Sequence, residues 1–460
     1  MRSWASQELQ SAALPDKRLN RRLIKIVENL AQQPHGSVPQ ASGDWANTKA
    51  TYNFWKSPRI EAEDIIEAHQ EQTAQRASKE KIVLAIQDTS DFNFTHHRAK
   101  TEKQGFGMTC AQKYVRGLKV HSLMISTTQG VPLGILEQQI WTRAVKKTKK
   151  KNQQTQKSVV NKESKRWLTS LVSTELAMPS TTTVVTVTDR EGDIYDLFAM
   201  EREPNSELLI RAKHNRRVNH ELKFVKQAME QIPDAGQLKI SVPRADGQKS
   251  RTTDLSIRYA SFDFPPPINR AKSFKHESVT LNVISAIEEN PPTEVKPITW
   301  FLLTSLEVNN FEQATGCIRW YTYRWLIERY HYVLKSGCRI EQLQLKNAER
   351  IKKALATYTI VAWRLLWLTY HARDNPHLPC DTILEQDEWQ SLYCHFQGFP
   401  LAEEPPSIQQ AIIWIARLGG FLARNHDGLP GVKTLWRGLQ RLNDIASTWK
   451  LLHSSQNQDS

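Results

Sequence analysis

The chain has 460 residues, and its 62 Lys plus Arg outweigh 48 Asp plus Glu to leave a formal charge of +14. An excess of that size points to a polyanionic partner. With 39% hydrophobic residues, including 14 Trp, wholesale disorder is excluded. At about 100–200 residues per domain the length allows two to four domains.

The five cysteines, Cys110, Cys317, Cys338, Cys380 and Cys394, form no close pair and do not read as a disulfide framework, so a reducing cytosol is expected. The opening MRSWASQELQ lacks the apolar core of a secretory signal. The most apolar long stretch, Ala354 to Tyr370, contains Arg364, so no membrane span is expected.

In chain order, residues 11–31 read as a helix entered through Pro15 and Asp16, with Leu19, Leu23, Ile26, Val27 and Leu30 on one face. Arg18, Arg21, Arg22 and Lys25 lie on the other, where they could follow a phosphate backbone or simply face solvent. Helical texture continues to about residue 80, which defines a small N-terminal helical domain. Strands follow. Ile82–Ile86 is a short apolar run leading into Gln87-Asp88-Thr89, and Leu118–Ser126 and Val131–Gln139 flank the turn Thr127-Thr-Gln-Gly130 as a hairpin. Residues 143–166 are strongly basic, with Glu163 as their sole acid. A helix around Trp167–Leu176 leads to the β-branched strand Thr183–Thr188, which ends in Asp189.

Alternating runs at 208–213, 237–242, 255–264, 279–287 and 299–304 suggest an all-β insert over about 203–305. From Phe311 to Leu345 the period returns to 3.6, and a second helix covers about 348–371. The Pro-, Asp- and Glu-bearing segment 374–408 reads as a loop or linker. Ile408–Phe421 and Thr434–Leu452 read as helices of a C-terminal module, separated by Gly428-Leu-Pro-Gly431.

Asp88 and Asp189 each stand at the carboxyl end of a buried-looking strand, where open α/β sheets place reactive groups. Tyr321, Arg324, Glu328 and Lys335 are spaced to share one helical stripe, to which His331 also belongs. On spacing alone that stripe equally fits a surface helix carrying an Arg324–Glu328 pair. Three carboxylates without Cys or His ligand spacing make a hard oxygen set suited to Mg²⁺ or Mn²⁺. Two such ions about 3.5–4 Å apart can activate a water or a 3′-hydroxyl for in-line displacement at phosphorus. His371, His377, Cys380, Cys394 and His395 show no zinc-ligand spacing, Gly105-x-Gly107 lacks a dinucleotide-loop context, and no nucleophile elbow occurs.

Tyr321-x2-Arg324-x3-Glu328-x6-Lys335, together with Asp88 and Asp189-Arg-Glu-Gly-Asp-Ile194, resembles the YREK signature of bacterial cut-and-paste insertion-sequence transposases of the Tn-five type, within the larger IS-four family. Leu14-Pro-Asp-Lys-Arg18 with Arg21-Arg22 is similar to that family's end-recognition helix. Leu209–His214 and Ile298–Thr304 are similar to strands of its β insert, and Ile415–Phe421 and Leu435–Gly438 to its dimerisation region.

The resemblance implies an α/β fold: a ribonuclease-H-like mixed-sheet catalytic core over 76–373, interrupted by the all-β insert and flanked by helical domains at 1–75 and 374–460. It implies that Asp88, Asp189 and Glu328 bind two Mg²⁺ or Mn²⁺ ions. Tyr321, Arg324 and Lys335 would contact phosphates, Arg211 and Lys213 would clamp the backbone, and Trp300, helped by Trp325, would stack on a flipped base. The expected partners are double-stranded transposon ends, target DNA and a second copy of the chain in the synaptic complex, in a bacterial cytoplasm and at the nucleoid. A DNA-binding regulator or domesticated relative that has lost cutting, and a structure-selective nuclease, are the alternatives.

Overall fold

The computed structural model describes residues 3–97, 104–109, 115–143, 163–242, 251–268, 278–293 and 295–456. Most of the basic tract, Lys146 to Lys162, lies outside the described residues. The strands are β1 (Ile82–Asn93), β2 (Gly107–Met108), β3 (Arg116–Thr127), β4 (Pro132–Trp141), β5 (Thr183–Thr188), β6 (Ser206–Arg211), β7 (Gly236–Val242), β8 (Arg251–Phe264), β9 (Val279–Glu288) and β10 (Thr299–Thr304). The chain folds into two compact units, one of Met1–Arg76, Thr89–Val145 and Leu326–Ser460, the other of Ala77–Asp88 and Lys146–Trp325.

In the second unit the first half of β1 pairs in parallel with β5, and β5 in parallel with β6. Antiparallel neighbours then follow in the order β10, β9, β8 and β7. The result is a mixed sheet. The parallel strands consist largely of buried β-branched residues such as Val83, Ile86, Val184, Val185 and Val187, as strands covered on both faces require. The expected insert is not all-β, because helix Val225–Glu230 sits within it and packs Val225, Ala228 and Met229 into a core with Phe262, Phe264 and Leu281. Six residues complete fewer than two turns, too few for a helical period to register. Nor do the insert's strands stand apart, since β6 extends the sheet directly from β5.

In the first unit, helix Lys17–Gln32 is entered, as expected, through Asp16, whose carboxylate accepts the Arg18 N–H at 2.8 Å. Its face of Leu23, Ile26, Val27 and Leu30 is buried. Helix Ala348–Asp374 is buried on most sides, and Thr357 accepts the indole N–H of the fully buried Trp55 at 3.1 Å. A polar knot joins the N-terminal helices to β4. Ile135 donates its N–H to His69 Nε2 at 3.0 Å, so the ring proton belongs on Nδ1, which donates to Glu8 at 2.6 Å. Arg76 completes the knot with a two-pronged contact to Glu8 at 2.7 and 2.9 Å. Burial by itself would raise the Glu8 carboxyl, but the bonds from His69 and Arg76 hold it down at about 2.

The segment 374–408 is not a plain loop, because helix Gln386–Gln397 occupies its middle. Trp389, Leu392 and Phe396 give it an apolar face at helical spacing, a signal hidden between prolines. Helices Ile408–Leu418 and Val432–Gln456 approach backbone to backbone. A Cβ on Gly438 would lie 1.7 Å from the Ile415 carbonyl oxygen, and one on Gly419 would lie 1.8 Å from that of Thr434. Among the described residues, no helix is long and apolar enough to cross a membrane.

Two outcomes are expected. Glu8→Gln should cost about 2–3 kcal/mol at pH 7. The depressed carboxyl contributes stability that is complete above its unfolded value of 4.5 and is lost as pH falls toward about 2. Urea titrations across that window should therefore show a shallower acid loss in the variant than in the parent. Gly438→Ala should destabilise the C-terminal helices by about 1–3 kcal/mol, because backbone cannot yield as a side chain does. A lowered thermal midpoint checks it, and an unchanged one contradicts the close approach.

Candidate active site

The parallel register of β1 with β5 ends at the pair Gln87↔Thr188. Asp88 and Asp189 are the next residues along the chain from that pair, so the two half-buried residues stand at the same level. Neighbouring strands lie about 4.8 Å apart where they pair, so the two aspartates directly follow residues at that separation. Contrary to expectation, β1 does not end at Asp88 but runs on to Asn93; what stops there is its pairing with β5.

Asp189 caps the short turn Arg190–Gly192, its Oδ1 accepting the Glu191 N–H at 2.8 Å. Arg166 holds Glu191 at 2.8 Å. Gly192 is required by space, since a Cβ there would lie 2.2 Å from Thr188 Oγ1. Asp193, fully buried, pairs with Arg216.

Beyond β10 the expected single helical stripe is broken. Helix Phe311–Thr322 ends in a tightened turn, with Tyr323 N–H bonded to Trp320 and Arg324 N–H to Tyr321, both at 3.1 Å, and a new helix runs Trp325–Tyr332. A π-helical turn, Val333–Gly337, follows and is closed by the bond from Cys338 N–H to the Val333 carbonyl at 2.7 Å. Each interruption changes the angular step per residue, so spacings of 3, 4 and 7 no longer define one face.

Within the second unit, Tyr321, Arg324, Arg211 and Trp300 do come together. Tyr321 is buried beside the Arg211 and Arg324 guanidinium groups, and its hydroxyl makes no hydrogen bond of regular geometry among the described residues. Burial pushes its phenol up, while the charges of Arg324 and Arg211 pull it back. Burial likewise pulls the Arg211 guanidinium down; the nearby charges of Arg190 and Arg324 add to this, while Tyr321 opposes it. One Arg211 nitrogen donates to the Thr299 carbonyl at 3.2 Å. Arg190 is thus a member of the cationic cluster that spacing did not single out, although it sits in the quoted motif beside Asp189.

Trp300 is 5% exposed, its ring packed edge-on against Tyr321 at 5.2 Å and Trp325 at 6.2 Å between centroids. Here it is a packed strand residue rather than an open platform. Lys213 is exposed.

In the first unit, Glu328 is exposed in the first turn of its helix. Lys335 is half-buried, its ammonium 5.1 Å from the Phe92 ring centre. His331 does not share the Glu328 face: it is buried, with Nε2 3.3 Å from Ser122 Oγ. Burial, reinforced by Lys335, lowers it to about 3, so the ring is neutral. Arg18, Arg21 and Lys25 are exposed along one side of helix Lys17–Gln32, whereas Arg22 turns back to donate to Asn47 at 3.1 Å.

Asp88 and Asp189 supply two hard oxygen donors, the chemistry a divalent Mg²⁺ or Mn²⁺ requires. Among the described residues, no three His, Cys, Asp or Glu side chains are gathered as a group able to hold a metal ion.

Residues 1–60 match the family model described as transposase DNA-binding, and residues 360–455 match that of the transposase Tn5 dimerisation domain. The candidate site lies between the two matched segments. Together the matches support a Tn5-like DNA transposase, with DNA and a second copy of the chain as its partners.

Proposed function

We propose that this chain is a transposase of the IS-four family's Tn-five branch, carrying the YREK signature on a ribonuclease-H-like core, which excises its mobile element by metal-dependent cutting and joins it to target DNA. The observation that carries the reading is the common level of Asp88 and Asp189 at the end of the parallel β1–β5 pairing, in a chain whose two ends match transposase modules. Glu328 would complete the carboxylate set around two Mg²⁺ or Mn²⁺ ions. Bound there, such ions supply activation of an attacking hydroxyl and relief of charge on the leaving oxygen.

The chain's own groups hold and orient the DNA. Arg324 and Arg211 present planar forks that can engage phosphate oxygens in pairs, and the buried Tyr321 hydroxyl beside them is a further donor. Lys335 and Lys213 act as mobile point charges. The reaction would run through nicking by water, attack of the freed 3′-hydroxyl on the opposite strand to give a hairpin, hairpin opening and strand transfer. Each step is an in-line displacement at phosphorus, so one site can serve all four. Trp300 would receive a base flipped from the strained end, exchanging its contacts with Tyr321 and Trp325 for the base. In the synaptic complex each active site would cut the end recognised mainly by the other chain.

Incubating the protein with Mg²⁺ and linear ends of its own element tests the reading. Hairpins and joined products are expected, whereas simple cuts indicate a nuclease and a mobility shift without cutting indicates a regulator. Asp189→Ala should lower cleavage by about 10³-fold or more while leaving end binding intact. Chelation by EDTA should likewise stop cleavage and spare the mobility shift; cleavage persisting in either case refutes the metal assignment. Replacing Arg18 and Arg21 together by Ala should weaken end binding and reduce the slope of log affinity against log salt by about 1 per lost phosphate contact.

A further inference from the structure

The turn after Asp189 ends in a carboxylate whose role lies away from any metal. Asp193 has no exposed side-chain surface. Its Oδ2 accepts the backbone N–H of Lys213 at 2.7 Å and of His214 at 2.9 Å. Its Oδ1 accepts Arg216 Nε at 2.7 Å and, more closely still, an Arg216 terminal nitrogen. A carboxylate offers about four lone-pair sites, so these four donors occupy them all and leave none for a cation.

The segment so held is the loop that follows β6. Its entry is fixed by Ala212 N–H on the Phe301 carbonyl at 2.7 Å, and its exit by Val225 N–H on the Arg216 carbonyl at 2.9 Å. Between these anchors Lys213, His214 and Asn215 are exposed. The backbone is therefore pinned from beneath while the side chains face solvent. Holding a cationic loop in its binding conformation beforehand removes an ordering cost from association.

We propose that Asp193 is a positioning residue for DNA: by binding the amides of Lys213 and His214 it fixes the loop that presents Lys213 to the phosphate backbone. The inference rests on the reading of Lys213 as a DNA contact. It ties that contact to the segment bearing Asp189, four residues upstream, so the candidate metal ligand and the clamp are set by one short stretch of chain.

The test scans single methylphosphonate substitutions along the linear element end and measures binding by the full-length protein. In the parent, neutralising the phosphates that Lys213 contacts should weaken binding, and Lys213→Ala should abolish the sensitivity at those positions. Asp193→Ala, which leaves no acceptor for the two amides, should abolish it at the same positions. Arg216→Gln removes the ion pair but leaves both amide bonds to Asp193, and should retain it even where the thermal midpoint falls. Since Asp193→Ala strands a largely buried guanidinium, the double variant Asp193→Ala/Arg216→Leu removes both charges, leaves no acceptor for the amides and serves if the single variant does not fold. Retained sensitivity in the Asp193 variants overturns the proposal. Its loss in Arg216→Gln as well overturns it too, in favour of a merely structural pair. A pattern unaltered by Lys213→Ala would instead refute the underlying DNA contact.

Discussion

The in-register parallel pairing of β1 with β5 is the constraint on which the candidate chemistry depends. Parallel strands present corresponding residues at the same level, so one register decides whether Asp88 and Asp189 can serve a common ligand. A slip of one residue would send every side chain of β1 to the opposite face. Both faces of β1 are apolar, so what opposes such a slip is close packing of unequal side chains, Val83 and Ala85 on one face against Leu84 and Ile86 on the other. Packing along the strands thus sets the level of two acidic residues where their pairing ends.

Around this pair the structure repeatedly sets one charged group to hold another. Asp189 caps its own turn, Arg166 holds Glu191, and Asp193 grips Arg216 together with two amides. Across the sheet, Arg211 and Arg324 crowd Tyr321 in a half-dry setting where repulsion between like charges is felt strongly. An anion brought to such a cluster would relieve that repulsion. Trp300 closes one side of the cluster with an edge-on aromatic packing against Tyr321 and Trp325.

Much of this was legible in residue patterns. The strands β1, β5 and β10 announce themselves as β-branched or aromatic runs, and the hairpin of β3 and β4 by its Thr-Thr-Gln-Gly turn. The helices after Asn347 and Ser407 were readable from apolar period. What escaped detection depended on geometry that no period encodes. The break between Thr322 and Trp325 is made by two short-range backbone hydrogen bonds, and the turn at Val333 by one long one. Glu328 and His331 lie within one unbroken helix, Trp325–Tyr332, but on either side of the edge of its buried face, so one is exposed and the other buried. Trp300 could be read either as packing or as a platform, because an aromatic in a strand carries no mark of what will cover it. Asp193 was visible only as a letter in a motif, since its four donors come from residues some twenty positions away.

The path of the backbone between the two units has a practical corollary. The polypeptide passes from one to the other after Arg76, Asp88, Val145 and Trp325. Neither unit is therefore encoded by an unbroken stretch of gene, and neither can be swapped between homologues by a single crossover. Glu328 lies just beyond the last of these passages, and Asp88 ends a segment only twelve residues long. Exchanging the N-terminal helices alone would break their knot with β4, so that unit has to be inherited whole.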